Sequence, residues 1–139
     1  MDLQTAFTQR FNTPASILVR APGRVNLLGE HVDYNDGIVL PAAIDRAVHL
    51  AASPTQDGIV HLYAQDLDQQ AAFQLDALEQ RVDLDGAPLP HWAIYPAGVA
   101  WALCEAGVQV RGMQAVYSSD VPIGAGLSSS AAVEVAFAA

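Results

Sequence analysis

The stretch that most limits this chain is a strand pattern that stops abruptly and hands over to a dense polar run. From Ser16 to Ala21 (SILVRA), Ile17, Val19 and Ala21 alternate with Leu18 and Arg20, and Pro22-Gly23 stops the alternation. Gly23 to Gly37 (GRVNLLGEHVDYNDG) then crowds Arg24, Glu30, His31, Asp33, Tyr34, Asn35 and Asp36 around one apolar step, Leu27-Leu28. Gly29 and Gly37 permit close backbone approach or positive φ. Such a set, presented just after a strand, can hydrogen-bond vicinal hydroxyls, because two acceptor-only carboxylates stand beside donors. The same residues also suit a polar surface loop turning at Asn35-Asp36-Gly37.

A second strand-to-loop unit lies downstream. Met113 to Ser119 (MQAVYSS) reads as a strand delivering Asp120 to Ala132, DVPIGAGLSSSAA. Pro122 starts a turn, Gly124 and Gly126 free the backbone, and Leu127 is placed to anchor the loop in the core. Ser128-Ser129-Ser130 then opens an apolar-periodic run. Serine is a favoured N-cap, and a first helical turn leaves N–H groups unpaired with a partial positive charge. Glycines running into a serine-rich helix start make an anion cradle, and a serine hydroxyl can reach a nucleotide-bound Mg²⁺. The cradle needs no lysine, and the chain has none: its six basic residues are all arginine. Neither a P-loop nor a protein-kinase phosphate site can therefore lie in these residues.

The remaining elements read in order. Leu3, Phe7 and Phe11 predict an amphipathic helix from about Asp2 to Phe11. Ala42 to Ser53 reads as a strand, with a turn at Gln56-Asp57-Gly58 forming a hairpin to Ile59–Gln65. Ala72 to Leu75 adds a short strand, and 76–90 is a connecting loop with room for one helical turn. His91 to Ala106 predicts a helix closed by Gly107, either starting near Tyr95 or kinked at Pro96. Cys104 precludes a disulfide within the chain and reads as a small core residue. His49, His61 and His91 read as structural, and Glu134 as surface.

With 139 residues and 52% hydrophobic content the chain suits one globular domain. A net charge of −9 disfavours nucleic acid and anionic membranes as partners. The N-terminus lacks a signal-peptide pattern and no apolar run nears the ~18 residues of a span, so a cytoplasmic location is expected.

GRVNLLGEHVDYNDG with Ile38-Val39-Leu40-Pro41 resembles the galactokinase signature, the sugar-binding motif of one branch of the GHMP small-molecule kinases. PIGAGLSSSAA resembles the ATP-binding motif shared across that family, in the family's order. The resemblance implies an α+β fold, a two-layer GHMP-kinase N-terminal domain with a mixed sheet packed with helices. It also implies ATP-dependent phosphorylation of galactose, with MgATP as co-substrate and no obligate protein partner. On this resemblance Arg24 stabilises the transferring phosphoryl group, and Glu30, His31, Val32 and Asp33 bind the sugar. Gly124, Ala125, Gly126, Leu127, Ser128, Ser129 and Ser130 bind ATP, with Ser130 on Mg²⁺. A similar Trp-Ala-x-Tyr segment lies near the adenine in galactokinases, which makes Trp92 a stacking candidate; packing against a sheet is the alternative, and the expectation for Trp101.

Residues 1–139 are expected to be the front part of such an enzyme, incomplete at the C-terminus and lacking the second domain. The last helix pattern runs to Ala139 without a stop signal, and the family's catalytic Asp and an acidic Mg²⁺ ligand lie beyond the second motif. The fragment alone is therefore expected to be inactive. A galactose- and ATP-binding sensor, and arabinose or N-acetylgalactosamine kinases, are the alternatives; the intact SSSAA favours the enzyme. In the full-length protein, Asp33→Ala should abolish galactose binding by calorimetry while ATP binding persists, since a site that pairs buried hydroxyls discriminates by about 10⁴.

Overall fold

The sheet is built around one strand buried on both faces. The structure, a computed structural model, describes residues 2–29 and 35–139. Helix α1 (Leu3–Phe11) leads into strands β1 (Ile17–Leu28), β2 (Leu40–Pro54), β3 (Ile59–Ala64) and β4 (Gln69–Gln74). A 3₁₀ segment (Leu75–Gln80), helix α2 (His91–Glu105), strand β5 (Met113–Ser119) and helix α3 (Ser129–Ala138) follow. The sheet order is β1-β2-β5-β3-β4; β5 is antiparallel to β2 and parallel to β3.

β5 takes the centre because Ala115, Val116 and Tyr117 are all buried. Ala115 and Tyr117 join Val48, Leu50, Val60, Leu62 and Phe73 under α2 and α3. Val116 points the other way, with Ala51, onto Ala6 and Phe7 of α1. The mixed sheet and its α2/α3 layer thus form the expected α+β core, and α1 covers part of the opposite face. Asp2 caps α1 by accepting from the Thr5 N–H, and Asn12 closes it in the left-handed region.

The expected β2–β3 hairpin is not formed. The turn at 56–58 exists, but β5 lies between the two strands, so the connection spans two strand spacings, about 10 Å. The turn signal at 56–58 is local, whereas pairing went to β5, which is buried on both faces. The hairpin that does form joins β3 to β4. The turn is held by Asp57, whose carboxylate accepts from the Thr55 hydroxyl at 2.6 Å, the Ile59 N–H at 3.0 Å and His61 at 3.2 Å. These donors, the Thr55 hydroxyl first, hold its carboxyl at about 2. The arrangement is complete above the ordinary carboxylate range and is lost as pH falls through that value.

Pro22-Gly23 does not end β1, which continues to Leu28 with a register shift between Pro22 and Arg24. Among the described residues β1 pairs with β2 alone, as an edge strand. Pro22 is opposite Ala47, whose N–H and carbonyl are both engaged with Asp120 on the β5 side. The missing N–H of Pro22 therefore interrupts no ladder bond and faces the free edge. Helix α2 starts at His91, so Pro96 sits inside it rather than in its first turn. Its buried face is Ala93, Pro96, Ala97 and Ala100. Beyond Ala100 that face leaves the core, so Cys104 is exposed and Trp101 is 45% exposed, contrary to the burial expected for both. Glu134 is exposed, as expected.

Phe7 is fully buried where α1 meets the sheet and packs 4.9 Å from the ring of Phe11. Phe7→Ala should cost about 3–5 kcal/mol of unfolding free energy, read as a lowered urea midpoint with an unchanged slope.

Candidate functional site

Two segments far apart in sequence meet through the backbone. The register shift in β1 re-aims the chain after Pro22, as bulges do, and releases the Arg24 amide from the ladder. That amide donates to the Leu127 carbonyl at 3.1 Å. Gly23 makes the approach feasible. It is buried, and a Cβ built there would lie 2.9 Å from the Leu127 carbonyl oxygen and 3.1 Å from side-chain atoms of Ile44 and Val121. The Arg24 side chain is exposed beside this junction. Leu127 is half-buried, and its backbone carbonyl supplies the anchoring bond.

The loop from Val121 to Ser128 leads from β5 into α3. Gly126 adopts φ +71°, open to glycine at no steric cost, and a Cβ there would meet nothing within 4 Å. Ser128 is also left-handed, at φ 60°, which costs a non-glycine residue roughly 1 kcal/mol or more. The expected serine cap is positional only. Ser128 precedes α3, but its side chain makes no capping bond, because that bond needs an extended backbone at the cap residue. The Ala132 N–H reaches back to the Ser128 carbonyl at 3.0 Å, so the N–H groups of Ser129, Ser130 and Ala131 have no acceptor within the helix. They and the helix dipole present partial positive charge at the loop's end. Ser130 is exposed and Ser129 half-buried.

Beside this helix start is a cavity of about 230 Å³, lined by Trp92, Tyr95, Tyr117, Ile123, Ser129 and Ser130 among others. It is smaller than the ~300–1,000 Å³ of a whole small-molecule site, so it suits one planar ring system with the rest of a ligand lying along the loop. Trp92 is half-buried, its ring centroid 6.0 Å from that of Tyr117, and its Nε1–H donates to Gln69 at 2.7 Å. Both readings of Trp92 meet here: it packs on the sheet and also borders the cavity. Burial, with the nearby Asp66 charge, pushes the Tyr117 hydroxyl well above its usual range, so it stays protonated as a donor. His91 also lines the cavity, and among the described residues no three metal-ligating side chains cluster.

Residues 95–139, which include this loop, match the N-terminal domain of GHMP kinases, and residues 5–54, which include Arg24, match the galactokinase galactose-binding signature. Together the matches span more than half of the chain. The chain belongs to the galactokinase family of the GHMP kinases. It is 47% identical to a galactokinase of Roseiflexus sp. (strain RS-1) over 137 residues, 99% of this chain and 33% of that protein. It is 50% identical to one of Streptomyces coelicolor over 119 residues, 85% of this chain and 29% of that protein. The structure superposes on Lactococcus lactis galactokinase complexed with galactose with a TM-score of 0.81 and 31% identity, covering 96% of this chain and 34% of that one. A mevalonate kinase at 22% identity and TM-score 0.67 shares the fold. The chain spans about a third of the length of the curated galactokinases it matches.

Within the galactokinase fold, the structure thus brings Arg24 next to the Gly124–Ser130 loop. Glu30, His31, Val32 and Asp33 lie outside the described residues. Sequence reasoning missed the packing role of Gly23, which it used only as a strand stop, and the cavity wall formed by Tyr117. The period-2 pattern of β5 carried the signal for Tyr117; a contact 104 residues away in the chain left none for Gly23. Gly23→Ala should displace the Leu127 carbonyl, costing about 1–3 kcal/mol by overpacking and speeding amide exchange at Arg24. Urea unfolding and site-resolved exchange would measure both effects, and unchanged protection at Arg24 would refute the locking contact.

Proposed function

We propose that the full-length protein transfers the γ-phosphoryl group of ATP to the anomeric oxygen of galactose, giving galactose 1-phosphate and ADP. The carrying observation is the bond from the Arg24 amide to the Leu127 carbonyl, which joins the polyol motif to the phosphate loop at one place. Supporting it are the galactokinase relatives and the galactose-bound galactokinase of the same fold. Phosphoryl transfer depends mainly on positioning and charge stabilisation, and the parts here supply both.

In this reading Gly124 to Ser130 cradle the phosphates with backbone N–H groups, and the aromatic cavity takes the adenine. The Ser130 hydroxyl would help to hold Mg²⁺, which when bound would supply charge neutralisation at the phosphates. Arg24 faces the γ-phosphate and steadies charge on its oxygens as the bond to the ADP oxygen breaks and the bond to the sugar oxygen forms. Glu30, His31 and Asp33 fix the sugar hydroxyls, and the hydroxyl proton passes to a carboxylate that the resemblance places downstream of residue 139. The acidic charge balance accords with a small-molecule substrate, and a cytoplasmic enzyme is the matching setting. Among the described residues no helix is long and apolar enough to cross a membrane.

The full-length protein should turn over ATP with galactose in preference to arabinose or N-acetylgalactosamine, measured as ADP release across a sugar panel. Gly126→Val should raise the KM for MgATP by about tenfold or more, because valine disfavours φ +71° and crowds the phosphates. Ser130→Ala should lower kcat and alter the Mg²⁺ dependence with a smaller loss of nucleotide affinity. Sugar-independent ATP turnover, or wild-type kinetics in both variants, would overturn the assignment.

A further inference from the structure

The exit from β5 is closed by a side chain where a backbone group would ordinarily serve. β2 and β5 pair in register as far as Val48 opposite Ser119. One step further, the Asp120 N–H donates to the Ala47 carbonyl at 3.2 Å, as the ladder requires. The return bond differs. The Ala47 N–H donates at 2.6 Å to Asp120 Oδ1, in place of Asp120's own carbonyl. Closing the pair with the carboxylate releases that carbonyl, and the chain leaves the sheet at Val121-Pro122. Ala47 is fully buried, so its N–H would be costly to leave unpaired.

The same exit is fixed from its other side. The Ser119 N–H donates to Asp66 Oδ2 at 2.5 Å, and the Val121 N–H to Ser119 Oγ at 3.2 Å. Asp120 meets two further charged or titratable groups, both from β2: the Arg46 guanidinium at 3.6 Å and His49, which attracts it more weakly. The loop is therefore pinned at its start by Asp120 and at its end by the Arg24–Leu127 bond.

We propose that Asp120 is a positioning residue: by standing in for its own carbonyl in the β2–β5 ladder, it sets the angle at which the phosphate loop leaves the sheet and holds that loop against Arg24. The kinetic consequence rests on the nucleotide-binding reading above, whereas the structural one does not.

Asp120→Ala and Asp120→Asn in the full-length protein separate the two. Alanine removes the acceptor; asparagine keeps an acceptor oxygen without the charge. Amide exchange reads the tether without any assay of activity. In the alanine variant, exchange at Ala47 and across 123–127 should accelerate by about tenfold or more, the weight of one charge-assisted hydrogen bond, with β3–β4 unchanged. The KM for MgATP should rise about tenfold, with the KM for galactose within about twofold, and asparagine should restore most of both effects.

A pH titration of the wild type covers the case in which Asp120→Ala fails to fold. The Ala47 N–H, aided by Arg46 and His49 and opposed by burial, holds the Asp120 carboxyl below its ordinary value. A lowered folded-state value means that the tether is at full strength above the ordinary carboxylate range, near pH 4, and weakens as pH falls through the lowered value, where the neutral acid, like asparagine, keeps only an uncharged acceptor oxygen. The Ala47 amide shift should follow that titration in the wild type and lack the step in Asp120→Asn. Unchanged exchange in the alanine variant, an equal rise in both KM values, an asparagine variant as impaired as alanine, or an Ala47 amide blind to the titration would each overturn the proposal. A wild type that ignores galactose would sink the functional reading alone, leaving exchange to decide the role of Asp120.

Discussion

One hydrogen bond ties the molecule's chemistry together: the Arg24 amide to the Leu127 carbonyl, at 3.1 Å. It forms only because β1 slips register after Pro22 and because residue 23 has no side chain. Each partner belongs to a segment that is locally costly to order. The Arg24 amide lies at a bulge, and the loop up to and including Ser128 passes through three residues with positive φ. The surrounding sheet supplies the stability that such segments lack, with β5 buried on both faces as its axis.

On the proposed reading, the way the site would handle anions follows from composition. A chain with a net charge of −9 and no lysine has little mobile positive charge to offer a polyphosphate. Backbone dipoles at the start of α3 are fixed in direction and lose no side-chain entropy when a ligand arrives. A single arginine can then serve as a directional contact rather than as bulk neutralisation.

The loop that leads into α3, the existence of the strands that deliver both motifs and the helices α1, α2 and α3 could be read from the sequence, because each is announced locally by period, by proline or by glycine. Helix α1 was legible almost to the residue, with Asp2 as its cap. Pairing was not. The Gln56-Asp57-Gly58 turn looks the same locally whether its strands touch or flank a third, and the strand that separates β2 from β3 arrives more than fifty residues later. Pro22-Gly23 misled for the same reason: proline is a stop in a central strand and harmless at an edge, and edge position is a property of the whole sheet. Burial of Cys104 and Trp101 was expected from an apolar run, but how far a helix overlies a sheet depends on the sheet's width. The candidate site was legible as motifs, whereas the junction between them was not. Nothing near Gly23 in sequence indicates that the carbonyl of residue 127 will occupy the space a side chain would need.

Pro22 has a consequence beyond the site. A twelve-residue edge strand with exposed Ile17, Leu18, Leu27 and Leu28 is a template on which another chain could add a strand. A proline whose nitrogen faces outward interrupts that row of donors near its middle, and the adjacent bulge bends what remains out of line. The irregularity that turns Arg24 towards the phosphate loop thereby also makes β1 a poor seed for intermolecular sheets, so one defect in the ladder guards against fibrillar association while shaping the pocket.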